Sequence, residues 1–137
     1  MKKIFGAGIL AGIAILASDL VVGKFFEFIF PAIKGEYQSG VFRPWSDPRM
    51  MLYFLYPFIV GLILAFAWSK IKIFFTDKTT LNRGMNFGLL AWLFFVLPGM
   101  FVTYTSFVVS LTLVLSWTVS GFAGMILAAA ILVKTNP

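Results

Sequence analysis

The chain has 137 residues; 61% are hydrophobic and 12% are charged, with 11 Lys and Arg against 5 Asp and Glu. Soluble domains run at about 45–50% apolar and about 25% charged, so most Leu, Ile and Phe here would find no core to enter, and a soluble monomer is excluded. There is no His and no Cys, which removes the usual zinc sites, Fe–S clusters, His- or Cys-held haem, thiol nucleophiles and disulfides; no metal and no cofactor is expected.

A stretch of about 20 apolar residues, rising 1.5 Å each, crosses about 30 Å of hydrocarbon. The first such stretch runs from Ile4 to about Val22. Met1-Lys2-Lys3 ahead of it resembles the start of a signal peptide, but cleavage near Ala17 or Ser18 would set Ile15 or Leu16 where a small residue is needed, so an uncleaved first span is expected. Gly8 and Gly12 form a GxxxG with Ala7 and Ala11 beside them, a surface that lets another backbone approach closely.

Asp19 lies 15 residues after Ile4, about 22 Å along a helix. A carboxylate at mid-bilayer costs roughly 2–3 kcal/mol, and less near the edge, so Asp19 should face protein or water. Continuing the helix puts Gly23 and Glu27 on its side at four-residue steps, amid Phe25, Phe26, Phe28 and Phe30. The segment reads as an extension of the first span or as an interfacial helix, with Lys24 and Glu27 able to pair at i, i+3. Asp19 and Glu27 are the candidate proton or cation site; the structural alternative is an Asp bonded to a neighbouring helix and a Glu held by Lys24.

The loop over 24–49 contains Arg43-Pro44-Trp45-Ser46-Asp47-Pro48-Arg49. The prolines hold their predecessors out of the α region, and Ser46-Asp47-Pro48 suits a helix start. Arg43 and Arg49 are candidate contacts for an anion or a lipid headgroup; otherwise they pair with Asp47 and Glu36. The second span covers about 50–69. Trp45, Tyr53 and Tyr56 at its start and Trp68 near its end follow the aromatic-belt pattern. Gly61 and Ala65 form a weaker small-residue pair, and Pro57 predicts a kink within the span. The loop over 70–83 is polar and lacks phosphate-binding spacing.

The apolar tract from Gly84 to Val133, about 50 residues, is too long for one crossing. It divides near Pro98-Gly99 to Ser110, into spans at about 85–105 and 109–133. Gly84 and Gly88 mark one end of the third span, and Pro98 predicts a kink or hinge in it. Ser116, Ser120, Gly124 and Ala128 recur every four residues along the fourth. These ridges serve either packing within the bundle or a homo-oligomer interface. Trp92 and Trp117 fall deep enough to need a partner for the indole N–H.

The expected fold is therefore all-α: one polytopic domain over 1–137, with four transmembrane helices in an up-down bundle. Lys2, Lys3, Lys70, Lys72, Lys78, Arg83 and Lys134 share one side, against Lys24, Lys34, Arg43 and Arg49 on the other. The positive-inside rule puts both termini in the cytoplasm. The net charge of +6 is explained by topology and anionic headgroups, and no basic module points to nucleic acid.

Arg43-Pro44 ahead of the second span, Gly88, Trp92 and Pro98 in the third, and Trp117, Gly121 and Met125-Ile126 in the fourth resemble the small four-helix integral membrane proteins of bacteria and archaea classed as domains of unknown function. The resemblance implies a prokaryotic cytoplasmic membrane protein and no catalytic residues. The composition favours a non-enzymatic structural or accessory role, as a subunit of a larger membrane complex or a self-associating bundle, with the lipid bilayer and a membrane-protein partner or second copy as neighbours. The alternative is a small oligomeric transporter or channel using Asp19 and Glu27. A lipid-acting enzyme fits worst, for want of paired acid–base groups.

Overall fold

The computed structural model describes residues 2–136. It contains α1 (Lys2–Ile29), α2 (Ala32–Tyr37), α3 (Tyr56–Ile71), α4 (Thr80–Phe95), α5 (Leu97–Ser106) and α6 (Leu111–Thr135), with 3-10 turns at Pro48–Leu55 and Lys72–Phe74. The chain is all-helical, and 4 helical stretches are long and apolar enough to cross a membrane: Lys2–Ile29, Pro48–Phe74, Thr80–Ser106 and Leu111–Thr135.

Each stretch differs from its predicted bounds for a local reason. The first extends about two turns beyond Val22, because nothing between Gly23 and Ile29 breaks a helix and Lys24 bonds Glu27 at 2.8 Å on the same helix. It ends just before Phe30-Pro31, where proline disfavours a helical predecessor. The Phe-rich segment is thus an extension of α1, not a separate interfacial helix. The second stretch starts at Pro48, after Asp47 accepts the Arg49 amide at 2.9 Å. Pro57 falls in the first turn of α3, where its missing N–H would have had no helical acceptor. It stands where the 3-10 turn passes into α3, at the start of that helix and not in its middle.

Pro98 does interrupt its helix. It cannot donate to the Phe94 carbonyl, and the helix breaks at Val96 (φ −103°, ψ −55°) before restarting as α5. Thr79 caps α4 by accepting the Asn82 amide at 3.2 Å, which moves the third stretch back to Thr80. The turn between the third and fourth stretches lies between Ser106 and Leu111. Gly40 has φ +80°, a conformation other residues rarely adopt, so the reversal after α2 depends on glycine there.

The four long stretches run antiparallel in the order α3, α1, α6, α4. The small-residue ridges explain that order. Gly8 meets the Leu62 backbone and Gly12 the Phe58 backbone across the α1–α3 contact. Gly124 meets Ile15 across α1–α6, while Gly84 meets Ala130 and Gly88 meets Ile126 across α4–α6. Ala128, Ser116 and Ser120 are also buried in the chain's own interfaces. The ridges are therefore filled intramolecularly. α1 and α6 each pack along two neighbours, and α3 and α4 approach each other near one end.

α3 and α4 meet near the end that carries both termini, through Trp68–Phe87 and Phe75–Phe87 ring contacts with centroids 5.0 and 5.7 Å apart. Trp68 is fully buried and donates its indole N–H to the Asn136 carbonyl at 2.8 Å. The Arg83 guanidinium lies 5.4 Å from the Trp68 ring centroid. Trp68 is thus a core residue, not the belt residue its position suggested, because the end of α6 folds over it. Trp45 is exposed and stacks edge-on with Tyr53, as a belt residue would. The outer faces of all four stretches carry large exposed apolar side chains, among them Phe28, Phe66, Phe94 and Phe101.

At the opposite end, Glu36 leaves α2 to receive the backbone N–H of Ser110 at 2.8 Å and its hydroxyl at 2.6 Å. Ser110 in turn caps α6 by accepting the Leu113 amide at 3.1 Å. Glu36 is thus taken by a helix N-terminus, where a carboxylate is favoured, and not by Arg43 or Arg49. Removing it in Glu36→Ala leaves a donor pair without its acceptor. The expected loss is about 1–2 kcal/mol of stability, with Glu36→Gln in between, read by thermal unfolding in detergent micelles; unchanged unfolding of Glu36→Ala would refute the cap.

Candidate functional site

Asp19 is positioned by α1 where that helix leaves its close contact with α3. Its Oδ1 accepts the Ser120 hydroxyl from α6 at 2.5 Å. Its Oδ2 accepts no hydrogen bond from the described residues and is not enclosed. Asp19 lines a cleft of about 300 Å³ bounded by α1, the segment leading into α3, the α4–α5 break and α6. Gly23, Ser116, Tyr53, Tyr56 and Trp117 line it with Asp19. The Tyr53 and Tyr56 phenols lie within electrostatic reach of the carboxylate.

The helix break helps to shape this cleft. Val96 turns against Gly121, where an added Cβ would lie 2.8 Å from a Val96 methyl carbon. Beyond Ile15 and Met125 the cleft stops, because the terminal half of the bundle is filled by Leu64, Trp68, Ala128, Ala129 and Leu132, all essentially inaccessible. Backbone contact at Gly8, Gly12 and Gly61 closes the same half from the α3 side. The cleft therefore reaches only one end of the bundle.

Asp19 and Glu27 are not brought together. Two four-residue steps rotate a side chain about 80° around a helix, and Glu27 is absent from the cleft lining and bonds Lys24 instead. Tyr37 stands at the mouth, where its hydroxyl accepts the Trp117 indole N–H at 2.9 Å. Burial, and secondarily the charges of Glu27 and Glu36, push the Tyr37 phenol above its ordinary value. Trp92 donates to the Thr118 carbonyl at 3.0 Å, so both deep indoles have the partner their depth demands.

The two candidate arginines reach one acid through different groups. Arg43 binds Asp47 at 2.8 Å, whereas the Arg49 contribution to that carboxylate is its backbone amide. The two hydrogen bonds, the amide first, hold the Asp47 carboxyl below its usual range. A depressed native pKa contributes stability above the unfolded value of about 3.9 and loses it as pH falls through the native value. The Asp47 carboxyl carbon should therefore titrate below that value by NMR, with the loop loosening only in that acid range; a midpoint at or above it would refute the bonds.

Each of the five carboxylates thus has its own partner: Asp77 accepts from Asn86 at 2.9 Å, and no two share a site. Among the described residues no group of three acidic side chains could hold a metal ion. The residues that sequence reasoning missed are Tyr53 and Tyr56 as cleft walls and Ser120 as the Asp19 partner. Ser120 was visible only as a small residue in a ridge, and the tyrosines only as belt residues; no local signal links either to Asp19 across the bundle. Comparisons with protein-family models, curated proteins and solved structures find no match.

Proposed function

We propose that this chain is a small integral membrane protein that crosses the bilayer four times with both termini in the cytoplasm. Its role is structural or accessory and non-enzymatic, as a subunit of a larger membrane complex in a prokaryotic cytoplasmic membrane. The topology rests on the excess of Lys and Arg at the terminal end, which carries Lys2, Lys3, Lys70, Lys72, Lys78, Arg83 and Lys134. The non-enzymatic reading rests on the separation of the carboxylates, which leaves no acid–base pair facing a common point.

The observation that carries the accessory role is the one-ended cleft above a half packed to backbone contact. Such a body can hold something and present an apolar surface to lipid or to a partner, but it offers no path from end to end. A second copy is a weaker candidate than a different partner, because the small-residue ridges are already filled by the chain's own helices.

A small oligomeric transporter remains the second reading, and the open Oδ2 of Asp19 favours it. Proteoliposome flux separates the two. On the accessory reading, wild type and Asp19→Asn give the same background flux, and purification under mild conditions yields a stoichiometric membrane partner. Proton- or cation-dependent flux that Asp19→Asn abolishes would overturn it.

A further inference from the structure

The chemistry of the cleft goes further than an accessory role requires. Among the described residues Asp19 is the one charged side chain in its lining, and no Lys or Arg is part of it. One carboxylate oxygen is held by Ser120, the other accepts no hydrogen bond from the described residues, and the residue lines the open volume. An ionised carboxylate turned toward a largely apolar space is costly unless a positive charge or strong donor completes it.

The walls complement the same charge. Tyr37, Tyr53, Tyr56, Phe95 and Trp117 surround the volume, and aromatic faces attract cations through their quadrupoles, most of all desolvated ammonium groups. The volume of about 300 Å³ sits at the small end of organic-ligand pockets. A strongly hydrated inorganic ion would gain one carboxylate and a few hydroxyls there while facing mostly hydrocarbon. An ammonium carried on an apolar or aromatic body matches both the carboxylate and the walls.

We propose that the Asp19 cleft is a binding site for a small organic cation, with Asp19 as the counter-ion and Tyr53, Tyr56 and Trp117 as the aromatic wall. The site is independent of the accessory reading: it stands or falls on binding by the chain alone, whatever partner the chain has.

The test uses the full chain in maltoside micelles near neutral pH, with benzyltrimethylammonium as probe and neopentylbenzene, its uncharged isostere, as control. Calorimetry should give saturable binding of the ammonium and at least about tenfold weaker binding of the isostere. Asp19→Asn should weaken the ammonium by a similar factor, whereas Gly6→Ala, on α1 outside the cleft, should retain it. If Asp19→Asn does not fold, the charged and neutral probes on the wild-type chain still decide. No saturable binding, equal binding of the isostere, or displacement of the ammonium by sodium at comparable concentration would each overturn the proposal.

Discussion

Gly61→Ala should destabilise the protein by about 1–3 kcal/mol, and Gly61→Leu by more. Helix propensity alone predicts the opposite sign, since alanine is favoured over glycine by about 1 kcal/mol in a helix interior. Geometry decides against propensity. A Cβ on Gly61 would lie 2.3 Å from the Gly8 carbonyl oxygen and 2.6 Å from the Gly12 amide nitrogen. Both are backbone atoms of α1, so no rotamer change relieves the clash and α3 must move away. Separation then costs the close packing of Val60, Leu64 and Ala65 as well. Gly6→Ala is the control: it adds the same atom on α1 with nothing within 4 Å, and should be neutral or mildly stabilising. Unfolding in mixed micelles measures both. A Gly61→Ala protein as stable as Gly6→Ala would show that α1 and α3 do not cross at this point.

Trp68→Ala should cost about 3–5 kcal/mol, the range for removing a fully buried aromatic. Its ring touches Phe75 and Phe87 and faces the Arg83 guanidinium, so one side chain ties α3 to α4. Its indole also holds the Asn136 carbonyl, and Lys72 donates to the Asn136 side chain at 3.0 Å. Losing Trp68 therefore unties the end of α6 together with the α3–α4 contact. Trp68→Phe separates the two effects. It keeps most of the ring volume and loses only the donor, for about 1 kcal/mol. Amide hydrogen exchange at the end of α6 should rise in both variants, while thermal unfolding should fall sharply only in Trp68→Ala. A Trp68→Ala protein that unfolds like wild type would return Trp68 to the surface belt.

These two residues mark where local reading stops. Gly61 was legible as half of a modest small-residue pair, but its depth of contact depends on Gly8 and Gly12, about 50 residues away. Trp68 sits where hydropathy places an interfacial aromatic, and Phe75, Phe87, Arg83 and the end of α6 together bury it. Pro57 and Pro98 make the same point as a pair. Each lies inside an apolar stretch, yet one begins a helix and the other breaks one. The difference is that Pro57 follows a 3-10 turn capped by Asp47, whereas Pro98 follows a helix already under way from Thr80.

The site divides in the same way. Asp19 announces itself, because a carboxylate so far along an apolar helix has few cheap environments. Glu27 looked like its companion from four-residue spacing, but the 3.6-residue turn carries it round the helix to Lys24. Ser120, Tyr53 and Tyr56 reach the cleft from other helices, where sequence separation hides the relation.

What the sequence determined by itself is the class of object. Continuous apolar runs, with charges gathered between them, dictate four long helices with apolar outer faces, whatever their arrangement. The small residues likewise dictated that backbones would approach closely. Only the tertiary structure decided which backbones those were, that α1 and α6 each pack on two neighbours, and that Asp19 lines an aromatic cleft. The physical reason is range. Hydropathy and helix-breaking act within a turn or a span, whereas packing and the fate of a lone carboxylate depend on side chains brought together from opposite ends of the chain.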